Sequence, residues 1–112
     1  MGTHRVQLEQ EAIEDYERGV RYYRDHGGAE VALRFVDVVE HAFTLLAEQP
    51  EIGRRYETAP AERLRAVRAW PLREFPYLVF YEVVETVVRV LGIVEAHQDL
   101  PEIFRKRWSV DT

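Results

Sequence analysis

The 112 residues, 46% apolar and 12% aromatic, are enough for one packed core and exclude a chain that stays disordered throughout. Without a single cysteine the chain has no disulfide framework, thiolate metal site or thiol nucleophile, and a reducing, cytoplasmic setting is expected. Twenty acidic residues against 15 basic ones leave a net charge of −5, which argues against a whole-surface footprint for nucleic acid and leaves only local basic patches.

Met1-Gly2-Thr3-His4-Arg5 runs into the fold without a signal-like apolar core. No stretch reaches the ~18 apolar residues of a membrane span. A single domain over residues 1–112, with no membrane partner, is expected. His4-Arg5-Val6-Gln7-Leu8 alternates as a half-buried strand does. From Ala12 the residues Ile13, Tyr16, Val20 and Tyr23 fall at helical spacing, and Gly27-Gly28 stops the run. A second amphipathic helix begins at about Ala29, carries Val31, Leu33, Phe35, Val36, Val39, Phe43, Leu46 and Ala47, and ends before Pro50, which cannot continue it. So short a joint predicts an antiparallel helical hairpin.

Residues 50–63, with Pro50, Gly53 and Pro60, lack periodicity and read as a loop, in which Gly53 can supply a positive φ to turn the chain. Residues 64–72, 77–84 and 87–94 are rich in aromatic and β-branched side chains and read as three strands. Their connections are too short for crossover helices, so they form an antiparallel meander. Tyr77, Val79 and Tyr81 point to one face and Leu78, Phe80 and Glu82 to the other. Asp99 as N-cap and Pro101 in the first turn open a short final helix ending near Trp108. The class is α+β, in the order β-α-α-β-β-β with a closing helix.

That order combines with three motifs. They are Pro50-Glu51-Ile52-Gly53-Arg54, then Arg73-Glu74-Phe75-Pro76-Tyr77-Leu78-Val79-Phe80-Tyr81, then the run from Val87 through Glu95-Ala96-His97-Gln98-Asp99 to Pro101. Together they resemble the RelE/ParE toxin superfamily of type II toxin–antitoxin modules, on its ParE-like branch. The resemblance implies a toxin that binds DNA gyrase and traps its cleaved-DNA state. It also implies a cognate antitoxin that wraps the toxin in a hetero-oligomer, and no sequence-specific DNA binding by this chain alone.

RNA-cleaving members of the superfamily combine sheet arginines or lysines with a late Tyr or His, groups that activate a ribose hydroxyl and neutralise phosphate. Here Leu78 follows the turn tyrosine, the late aromatic is Phe104, and the last strand runs into Glu95-Ala96-His97-Gln98 without the arginine of the ParE-like H-G-x-R-D pattern. His97 is left as the one acid/base candidate, weighed against a solvent-facing histidine at a strand end. His4, His26 and His41 have no metal-ligand spacing, and neither metal nor cofactor is expected. A non-catalytic toxin is the leading expectation; the alternatives are a ribosome-dependent mRNA endoribonuclease and a non-toxic, toxin-derived binding protein. Target contact is assigned to Arg65, Arg68, Arg73, His97 and Gln98. Antitoxin contact is assigned to Tyr22, Tyr23, Arg105, Arg107 and Trp108, weighed against core packing of the tyrosines and a solvated C-terminal helix, while the target-contact arginines are weighed against strand-edge charges that discourage aggregation.

Overall fold

A computed structural model describes residues 3–56 and 66–108. Its elements are β1 (Arg5–Leu8), α1 (Gln10–Glu48), β2 (Arg54–Arg55), β3 (Arg68–Pro71), β4 (Tyr77–Val84), β5 (Val87–Glu95) and α2 (Leu100–Trp108). This is the expected α+β order: a strand, a helical hairpin, an antiparallel meander and a short closing helix. Among the described residues no helix is long and apolar enough to cross a membrane.

The hairpin is made inside α1, whose 39 residues are interrupted at Gly28, with φ 85° and ψ 176°. That conformation is essentially confined to glycine. The arms then run back along each other. Tyr16 meets Phe35 and Phe43 edge-on, and its hydroxyl donates to Glu40 Oε2 at 2.8 Å. Gly19 lets the arms close up, since a Cβ there would lie 2.7 Å from the Phe35 ring.

The sheet has the order β1-β5-β4-β3-β2. Within it β3, β4 and β5 form the meander, joined by turns in which Glu74 (φ 70°) and Glu85 (φ 56°) take positive φ. β1 lies parallel to β5, with Arg5 opposite Val87 and Leu8 opposite Val90. A parallel pair needs a long connection, which here runs through the hairpin, covering one face of the sheet, and then through β2, β3 and β4.

Three expectations are corrected. The segment 50–63 is not all loop, because Arg54 and Arg55 pair antiparallel with Ala69 and Arg68; a strand of two residues is too short to show a period. The strand expected over 64–72 is Arg68–Pro71 among the described residues, and residues 64 and 65 lie outside them. Gly53 does not take a positive φ; among the described glycines Gly28 alone does. Glycine is needed at 53 because a Cβ would collide with the Tyr81 ring and hydroxyl.

The core has two halves. Toward α1 the sheet presents Val79, Tyr81, Val88, Val90 and Ile93, packed on Phe35, Val39, Phe43 and Leu46. Toward α2 it presents Val67, Phe80, Leu91 and Val94, packed on Phe104. A β-bulge sets the change of register: Phe80 faces Gly92 while Tyr81 faces Val90, so Leu91 is the extra residue. Trp108 then lies over Gly92, where a Cβ would be 2.9 Å from its ring.

Candidate functional site

The bulge falls where the pairing of β5 with β1 stops, at Val90. Beyond that point the outer edge of β5 meets side chains instead of a strand. Ile93 N donates to Asp15 Oδ2 at 2.9 Å. Asp15, only 4% exposed, sits on the inner side of α1 and gathers three further bonds. Arg107 donates to both its oxygens, at 2.8 and 2.9 Å, and Arg18 Nη1 donates to Oδ1 at 2.9 Å. One buried carboxylate thus ties α1, β5 and α2 together, and its bidentate contact holds the Arg107 guanidinium still more firmly protonated than usual.

Beside this hub lies a cleft of about 310 Å3, lined by Arg18, Gly19 and Tyr22 of α1, by Tyr77, and by Ile93, Val94, Glu95 and Gln98. Tyr22 is half exposed and stacks on His26, ring centroids 4.2 Å apart. Tyr77 and Tyr23 pack edge-on, ring centroids 6.3 Å apart, and burial is the main reason that both phenols hold their protons above the usual range.

A second polar cluster holds the turn before β2. Tyr81 donates to the Pro50 carbonyl at 2.8 Å and accepts from Gly53 N at 2.9 Å. Arg68 Nη1 donates to the carbonyls of Gly53 (2.8 Å) and Glu51 (3.1 Å). Burial raises the Tyr81 pKa in spite of the Gly53 amide and the nearby Arg68 charge, which pull the other way.

The residues singled out from the sequence do not gather in one place. Arg65 lies outside the described residues. Arg68 is engaged by the turn carbonyls, and Arg73 is exposed in the β3–β4 turn. His97 and Gln98 are exposed in the turn after β5, and Gln98 reaches the cleft. Tyr22 lines the cleft, whereas Tyr23 packs against Phe35, Phe75 and Tyr77. On α2, Arg105 pairs with Glu102 at 2.6 Å and lowers that acid's pKa, Arg107 closes on Asp15, and Trp108 packs on Phe80 and Phe104. Asp15, Arg18, Tyr77 and Glu95 escaped the sequence reading as site residues. For Asp15 a signal exists, an acid at spacings of three and four from Ala12 and Gly19, on the stripe that a helix buries.

Comparison with known proteins gives one family and several solved structures of similar fold. The family model described as "ParE toxin of type II toxin-antitoxin system, parDE" matches residues 6–100. A solved structure of a chromosomal ParDE toxin–antitoxin system from P. aeruginosa is similar, with 21% identity, a TM-score of 0.71, and coverage of 85% of this chain and 98% of that one. The RelBE2 toxin–antitoxin complex of Mycobacterium tuberculosis has 20% identity and a TM-score of 0.55, covering 85% of this chain and 93% of its own. A double arginine-to-alanine mutant of E. coli toxin RelE in the free state has 16% identity and a TM-score of 0.56, covering 90% and 92%. No curated protein matches the sequence.

Proposed function

Because the chain belongs to the ParE toxin family of type II toxin–antitoxin systems, we propose that it acts by binding DNA gyrase and that a cognate antitoxin holds it inactive. The observation that carries this reading is the commitment of Arg68, Arg89 and Arg107 to internal partners. Metal-independent RNA cleavage needs a group that takes the ribose proton and cations that face the phosphate. Arg68 is bonded to the carbonyls of Glu51 and Gly53, Arg89 spans Glu9 and Glu82 at 3.2 and 2.7 Å, and Arg107 is closed on Asp15. His97 stands exposed in a turn after β5. Such an arrangement favours a surface that engages a partner over a centre that cuts RNA.

The purified chain is expected to inhibit gyrase supercoiling and to raise the yield of cleaved DNA complexes, with both effects reversed by the antitoxin. Supercoiling that is unchanged at micromolar excess would remove gyrase as the target. Primer extension on translated mRNA, wild type beside His97→Ala, tests the nuclease alternative in the same samples. Cleavage lost on that substitution would move the chain to the enzymatic branch.

A further inference from the structure

Two residues that line the cleft beside Asp15 carry backbone groups with no bond made. Successive residues of a strand turn their N–H and C=O to opposite edges. Ala96 N donates to Pro76 O at 2.8 Å, on the β4 side, so the groups of Ile93 and Glu95 face outward. Ile93 N donates to Asp15 Oδ2, and Glu95 O accepts from Gln98 N at 3.2 Å. Ile93 O and Glu95 N have no partner among the described residues. Ile93 is 2% exposed, and a carbonyl left unmet in such a residue is costly.

The outward edge thus runs acceptor, donor, acceptor: Ile93 O, Glu95 N–H, Glu95 O. The cleft beside it holds about 310 Å3, at the lower end of small-ligand pockets, and the half-exposed Tyr22 adds an aromatic wall. Charge around it cancels. Of the charged side chains in the lining, Asp15 and Glu95 are negative, Arg18 and Arg107 are positive, and Arg107 has a further acid, Glu11, at 3.9 Å. Such walls favour neither a phosphate nor an ammonium group and suit a neutral polar ring. We propose that the cleft binds adenine, the neutral 6-aminopurine ring, by its Watson–Crick edge. Its amine donates to Ile93 O, its ring N1 accepts from Glu95 N–H, and its C2–H lies against Glu95 O. The same edge turns other bases away. Cytosine sets its O2 against Glu95 O, and uracil points its second carbonyl at the Asp15 carboxylate. Guanine turns its 2-amino group onto an Asp15 that four donors already meet. Neither gyrase nor an antitoxin enters this assignment.

The whole chain is titrated with adenosine and followed by NMR, and the Glu95 amide proton is expected to move downfield and to saturate at millimolar ligand or below. Adenosine dimethylated on its amine has lost the donor; it, guanosine, cytidine and uridine are expected to bind about tenfold or more weakly. An adenosine with carbon in place of ring N7 keeps both bonding groups and is expected to bind as adenosine does. Tyr22→Ala is expected to weaken adenosine several-fold with the far-ultraviolet circular dichroism unchanged. A short oligoadenylate run alongside separates the two carriers of the ring: tighter binding than adenosine assigns it to an unpaired strand, equal or weaker binding to the free nucleoside. If the Glu95 amide stays in place under excess adenosine, the proposal fails. It fails equally if cytidine or the dimethylated adenosine binds as tightly as adenosine.

Discussion

Asp15 is where single-residue chemistry weighs most on this molecule. A carboxylate that is 4% exposed is met by four donors: Ile93 N, both ends of Arg107, and Arg18. Burying a charge pair is roughly neutral against an apolar replacement, but removing one partner strands the other. Asp15→Ala is therefore expected to cost about 3–5 kcal/mol in urea unfolding, while the double change Asp15→Leu with Arg107→Leu recovers most of that loss. A single-mutant loss below about 1 kcal/mol would mean that the hub is solvated and exerts no such control. The acid on the buried stripe escaped the sequence reading, although its spacing from Ala12 and Gly19 marks it. Its partners Ile93 and Arg107 were not marked, because they arrive from 78 and 92 residues away and no local pattern reaches that far.

At the scale of elements, the helices and the meander could be read from the chain because each carries its own period and its own stop signal. Gly27-Gly28 marked the hairpin, and the structure narrows the reversal to Gly28. A Cβ at Gly28 would meet nothing within 4 Å, so a substitution there suffers only from backbone conformation. Gly28→Ala is expected to lower stability by about 1–3 kcal/mol with the helical content of each arm unchanged, measured by thermal melting alongside far-ultraviolet circular dichroism. What stayed hidden at this scale was pairing across distance. β2 is two residues long, and β1 finds its parallel neighbour only after α1 and the meander have been laid down. The α2 contact was hidden for the same reason. Arg107 and Trp108 look like a solvated basic tail in sequence, yet one closes on Asp15 and the other covers Gly92.

Across the whole molecule, four of the six tyrosines, Tyr16, Tyr23, Tyr77 and Tyr81, have their pKa raised, with burial as the largest cause in each. A phenol whose folded pKa lies above its unfolded value of about 10 contributes stability that is fully present below pH ~10 and is lost as pH rises through the folded value. The protein is thus expected to hold constant tyrosine-linked stability up to about pH 10 and to lose it above. A spectrophotometric titration should show part of the phenolate absorbance appearing only together with unfolding. Six phenols titrating freely before any loss of structure would contradict the packing of both core halves. The order of synthesis adds a last consequence. Arg5 is made well before its neighbour in the sheet, Val87. While the ribosome is still building the chain, the apolar side of the hairpin has no sheet to lie on. The nascent protein therefore cannot acquire its finished surface until β5 has cleared the exit tunnel, and a truncated product ending before that strand is expected to be a target for chaperones and proteases rather than an active toxin.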